Sequence, residues 1–161
     1  MMETIMQVLL TLAAVGSGLV GGIFFAFSSF VMRALARLPA AHGTAAMQAI
    51  NITVINPLFL LGFMGTAVAC GILLIGSLAG LPGAGPWVIA GCLSYLVGTL
   101  VVTLVCNVPL NQELARVDDR TDGAASLWEV YVREWTAWNH VRTASALTAA
   151  GSLTIGLTGI M

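Results

Sequence analysis

The stretch Arg133–Leu153, "REWTAWNHVRTASALTAAGSL", decides how this chain folds. It enters a long apolar run. Yet Trp135, Trp138, Asn139, His140 and Arg142 crowd into its opening turns. Read as a helix, it becomes the fourth of four apolar spans, with a polar stripe on one side.

Composition sets the surroundings. The chain has 161 residues, of which 58% are hydrophobic and 8% charged; ordinary soluble domains carry roughly 25% charge. Mean hydropathy is +0.97. No charge lies between Glu3 and Arg33, only His42 can carry one between Arg37 and Glu113, and none follows Arg142. Water cannot solvate such a chain on all sides, so this is an integral membrane protein, of one domain over 1–161. The net charge of −1 supports no nucleic-acid partner.

A span needs about 20 apolar residues. Four runs qualify: Ile5–Met32, Pro57–Ala79, Trp87–Leu110 and Ala137–Ile160. The first is a poor signal peptide, with Glu3, no basic start and too long an apolar stretch, and is read as a retained helix. Gly43–Asn56 is mildly apolar and predicts an interfacial helix or re-entrant turn before span two. Asn56-Pro57 then reads as an N-cap with proline in the first helical position. "AGLPGAGP" is a short loop, and Pro109 ends span three or opens a further short helix. Asn111–Trp128 is a polar helical loop before span four. The expected fold is all-α, a four-helix transmembrane bundle.

Arginine placement orients it. The first and third loops carry Arg33, Arg37, Arg116, Arg120 and Arg133, while the termini and middle loop carry no Arg or Lys. The arginine face is predicted to be cytoplasmic and both termini outside.

"GSGLVGG" matches a dinucleotide fingerprint, G-x-G-x-x-G, from Gly16 to Gly21, but lacks the strand and acidic residue that motif requires. Helix packing explains it better, through Gly18-x-x-x-Gly22 and Ser17-x-x-x-Gly21. Cys70, Cys92 and Cys106 lie in apolar runs and read as packing residues.

At 100° per residue, Trp135, Trp138, Asn139 and Arg142 share one helix face, joined upstream by Trp128 and Tyr131. Ala146 and Ala149 extend it inward with small residues. His140 lies about 100° from Asn139. Taken singly, the tryptophans are an interfacial belt and Arg142 a snorkelling cation. Other segments bring partners to the same end. Asn107 and Asn111 are four apart at the end of span three, Asn51 and Asn56 precede span two, and Ser28, Ser29 and Arg33 end span one. Convergence from four segments predicts a polar pocket there, because polar groups in a membrane must find partners. No Cys/His or carboxylate cluster has metal-ligand spacing, and no span carries a central charge of the kind an ion pathway uses.

These motifs carry a resemblance. "GGIFFAFSSFVMRAL", "AMQAIN…NPLF", "CNVPLNQEL" and "WTAWNHVRT", in four spans and about 160 residues, resemble the anthrone oxygenase family of small integral membrane proteins. The likeness runs over nearly the whole chain, and the last two motifs are the most specific. The resemblance implies oxidation of anthrones to anthraquinones, a polyketide-pathway reaction, with O2 as co-substrate and no cofactor. It implies His140 as the base, Arg142 and Asn139 as holders of the oxyanion, and Trp135, Trp138 and Tyr131 as a ring sandwich. Asn107 and Asn111, with Asn51 and Asn56, would orient a flat apolar small molecule or water. His140's offset leaves water, or Arg142 acting electrostatically, as alternatives for the base. Beyond the lipid bilayer and that ligand, a homo-oligomer is compatible. A non-catalytic quinone- or lipid-binding module, and a structural subunit glued by asparagines, are the alternatives to an enzyme.

Overall fold

The computed structural model describes residues 1–81, 83, 85–117 and 123–158, and these are helical with no strand. Five helices follow in order: α1 Met2–Leu35, α2 Ala40–Thr53, α3 Pro57–Leu78, α4 Pro86–Leu114 and α5 Ala124–Thr158. Three of them, α1, α3 and α4, are long and apolar enough to cross a membrane.

The fourth run behaves differently from the expectation. α5 is one continuous helix of 35 residues that starts at Ala124, well before Ala137. At about 1.5 Å per residue it is roughly 50 Å long. The charged Ala124–Thr136 segment, whose start was expected in a polar helical loop separate from span four, is therefore its first third, and Trp128 and Tyr131 stand on the same helix as Trp135. α5 is not among the three apolar helices, because its polar residues dilute its hydropathy. Arg120 and the predicted end of span four at Ile160 lie outside the described residues.

Local chemistry sets the helix ends. Asn56 accepts a hydrogen bond from the Phe59 amide at 3.0 Å and Pro57 occupies the first turn of α3. Gly80 and Gly83 take φ of 74° and 84° in the turn before α4, a region open chiefly to glycine. Pro109 does not end α4 but stands in the first turn of its last α-helical segment, Val108–Leu114, in keeping with the expected short helix opening there. α4 runs through it to Leu114, and the turn just before it, Thr103–Asn107, is wound wide in π fashion. A wide turn moves the preceding carbonyl away from the proline ring that would otherwise kink the helix. α1 has a similar wide turn at Phe27–Val31, where Ser29 Oγ bonds back to the Phe25 carbonyl at 2.7 Å.

α1 packs against α5 and α3, α5 against α4, and α4 against α3. Lipid is as apolar as leucine, so close van der Waals approach at small residues carries such helix pairs. A Cβ on Gly91 would come within 2.7 Å of Leu153, one on Gly156 within 2.7 Å of Val88, and one on Gly21 within 2.9 Å of Leu147. Gly21 thus sits against α5, as expected. Gly22 faces open space and Gly18 meets only Ala150 at 3.9 Å, so the Gly18–Gly22 pair is not a close contact. Outward, α1 presents Ile5, Val8, Leu12, Val15 and Leu19 as an exposed apolar stripe, suited to lipid.

α2 lies across one end of this array. Its Met47 is buried with Met32, Leu114, Trp128, Tyr131 and Trp135. Gly43 makes that seat possible, since a Cβ there would lie 2.6 Å from the Trp128 ring. Gln48 pins α2 to the end of α4 by donating to the Leu114 carbonyl at 2.8 Å and that of Val117 at 3.3 Å.

Candidate functional site around Arg142

The site begins with the stripe on α5. Trp135, Asn139 and Arg142 are all buried on the face turned toward α1 and α4. Arg142 is 4% exposed and has no carboxylate partner among the described residues. A lone guanidinium in apolar surroundings is costly unless its protons are shared out. Nη2 donates to Asn139 Oδ1 at 2.7 Å, and Nη1 donates to Thr103 Oγ1 at 3.3 Å. Thr103 in turn donates to the Thr99 carbonyl at 2.7 Å. The guanidinium carbon lies 4.2 Å from the Phe24 ring centre and 5.0 Å from that of Trp135, so two aromatic faces share its charge. Nε is buried and has no partner.

Asn139 is fully buried and spends all its hydrogen-bonding groups on protein. Nδ2 donates to the Phe24 carbonyl at 2.8 Å and to Ser28 Oγ at 2.7 Å, while Oδ1 holds Arg142. Thr143 Oγ1 gives its single proton to the Asn139 carbonyl, so Ser28 is the donor in the 3.0 Å Ser28–Thr143 bond. This network joins α1 to α5 and fixes the arginine.

A second network sits one turn outward. Asn111 Oδ1 accepts from Tyr131 Oη and from Trp135 Nε1, both at 2.8 Å. The rings of Trp128, Tyr131 and Trp135 stack in sequence, with centroids 5.8 Å and 6.3 Å apart. Asn107 Nδ2 donates to the Trp135 carbonyl at 3.2 Å, and its Oδ1 is buried without a partner.

Beside both networks lies a cavity of about 290 Å³. That is close to the low end of pockets that hold small molecules. Phe24, Phe63 and Trp135 form its aromatic walls, and Arg142 is the charged residue lining it. Asn51 and Asn111 line it from α2 and α4. Asn51 Nδ2 is buried without a partner, a second unspent donor on the same cavity.

The remaining sequence candidates lie elsewhere. Trp138 is 40% exposed at the rim of the stripe and does not line the cavity. Asn56 is taken up by capping: besides accepting from Phe59 it donates to the Thr53 carbonyl at 3.0 Å. His140 is exposed and faces a separate groove between α1 and α5 with Arg33, Arg133 and Thr136. Its ring therefore does not reach Arg142. Phe24 and Thr103, not expected in the site, touch Arg142, and Ser28, expected among the converging polar groups, touches Asn139. An aromatic or threonine within an apolar run is unremarkable in a sequence, and only Ser28 stood out as polar.

The family profile described as anthrone oxygenase matches residues 57–152, more than half of the chain. The chain belongs to the anthrone oxygenase family. No curated protein and no solved structure matches it. The anthrone oxygenase match runs from the start of α3 into α5 and contains Asn107, Asn111, Tyr131, Trp135, Asn139 and Arg142. The walls supplied by α1 and α2, with Phe24, Ser28 and Asn51, lie before it. Among the described residues no group of three or more His, Cys, Asp or Glu could hold a metal ion.

Proposed function

We propose that this chain oxidises flat, phenolic, anthrone-type molecules with O2 in the cavity around Arg142, without a cofactor. In this reading α5 crosses the membrane with α1, α3 and α4 as a four-helix bundle. The arginine-bearing loops are cytoplasmic and both termini are outside. The observation that carries the chemistry is Arg142 itself, a buried cation with no counter-charge among the described residues and an unpartnered Nε–H, lining an aromatic-walled cavity.

An anthrone has an acidic C–H bond opposite its ketone. Loss of that proton leaves the negative charge on the ketone oxygen, where Arg142 stabilises it. A cation fixed in advance among aromatic walls is worth far more there than in bulk water. The electron-rich anion passes one electron to O2, and the resulting carbon radical and superoxide join as a peroxide. After protonation, loss of water breaks the O–O bond and forms the second carbonyl. One atom of O2 ends in the quinone and the other in water, so anthrone plus O2 gives anthraquinone plus water.

Arg142 and Asn51 are the residues that touch the substrate, with Trp135 and Phe24 against its rings. Asn139 is a positioning residue, since its groups are spent on Arg142, Phe24 and Ser28. No histidine or carboxylate lines the cavity among the described residues, so the proton leaves to water and His140 takes no part.

The test is oxidation of anthrone by protein in lipid vesicles under ¹⁸O2. Quinone carrying one ¹⁸O atom, formed faster than in protein-free vesicles, supports the reading. Saturable quinone binding without turnover would replace it with a non-catalytic quinone-binding module.

A further inference from the structure

The cavity is covered by a helix toward the loops and opens at the side, the opening reaching Ile55 in the α2–α3 connection. Its roof is α2, held down by Gln48 on the Leu114 and Val117 carbonyls and by Met47 in the cluster with Leu114 and Trp128. Its floor is Phe24 and Phe63, with ring centres 6.3 Å apart, and Tyr95 backs Phe63 from outside the cavity at 6.3 Å between ring centres. At that level Tyr95 Oη donates to the Phe63 carbonyl at 2.9 Å and ties α4 to α3. Toward Pro57 the two helices part, and the wide-turned Thr103–Asn107 segment of α4 makes no substantial contact with α3. The gap is edged by Leu60, Met64 and Leu104, which line the cavity yet are 39%, 44% and 55% exposed, and its loop end by Ile55, 70% exposed, in the connection from α2 to α3. Residues that both line a cavity and face outward are its mouth. This mouth is apolar throughout.

We propose that the substrate enters sideways from the bilayer, between α3 and α4, and not from water beneath α2. This rests on the membrane-embedded reading given above. It also narrows the substrate class. A molecule crossing an apolar mouth from lipid must arrive uncharged, because a charge in hydrocarbon costs several kcal/mol or more. The substrate is therefore a neutral, membrane-dissolved ketone or phenol that ionises only on reaching Arg142. Carboxylated or sulfonated analogues are excluded at the mouth even though they would suit the guanidinium.

Association with protein in phosphatidylcholine vesicles tests this, using 1,8-dihydroxyanthraquinone as probe and the saturable quenching of tryptophan emission as readout. Leu60→Phe with Leu104→Phe should slow association at least tenfold with little change in final quenching. Leu60→Ala with Leu104→Ala should quicken it, so that a folding defect in the first pair does not decide the matter. Gln48→Ala, which loosens the roof, should leave the rate unchanged. Mouth variants that bind at the wild-type rate, with Gln48→Ala faster, would overturn lateral access alone. No saturable quenching in the unaltered protein would sink the cavity reading and this route together.

Discussion

Asn139 and Arg142 stand one helical turn apart, both buried, and Asn139 Oδ1 accepts from Arg142 Nη2 at 2.7 Å. The amide is neutral, so it orients the guanidinium without cancelling its charge. Asn139→Asp separates these two jobs. It keeps an acceptor for Arg142 and adds a counter-charge, but loses the donor to Phe24 and Ser28. Anthrone oxidation should fall at least tenfold, while Arg142 remains better satisfied than in Asn139→Ala. Thermal unfolding in detergent, compared with initial rates, checks this. Asn139→Asp with full activity would show that the free positive charge is not what the site uses.

Asn111 serves two donors with one oxygen. Asn111→Leu leaves Tyr131 Oη and Trp135 Nε1 without an acceptor, and each buried orphan costs about 1–3 kcal/mol. The variant should unfold at lower temperature. Adding Tyr131→Phe removes one orphan, so the double variant should recover part of that loss. A double variant less stable than Asn111→Leu would contradict the shared-acceptor account.

His140→Ala should leave the oxidation rate within a factor of two. The ring is exposed and faces the groove with Arg33 and Arg133, away from the cavity. A loss of tenfold or more in initial rate would return His140 to the reaction.

Much of this arrangement was legible because helices repeat. The offsets of Trp135, Asn139 and Arg142 put them on one face, and that face does meet Asn107 and Asn111 from α4. The same arithmetic set His140 apart. Trp138 shows the limit of angle alone: at the edge of the arc, whether a ring is buried depends on where the neighbouring helix ends. Trp128 and Tyr131 already shared the stripe of α5, but the exact start at Ala124 was hidden because the charged residues there do not extend the apolar run; they lie on the outer side of turns whose Trp128 and Tyr131 are buried. The roof was hidden for another reason. Gln48 reaches backbone carbonyls far along the chain, and nothing in the side chains at Leu114 and Val117 announces it. The wide turn before Pro109 is likewise a backbone response: a proline marks a join between helical segments, not how the turn before it is wound.

We propose that Arg142 is held charged, with no counter-charge among the described residues, for the sake of a substrate oxyanion. The most direct measurement compares Arg142→Met with the unaltered protein for both unfolding temperature and anthrone oxidation in vesicles. Replacing a buried charge that lacks a counter-ion by an apolar side chain of similar length is often neutral or stabilising. The account predicts an unfolding temperature equal to or above that of the unaltered protein, with oxidation reduced about 100-fold or more, the scale seen when a preorganised oxyanion partner is lost. A well-folded Arg142→Met protein that still oxidises anthrone at the original rate would contradict it.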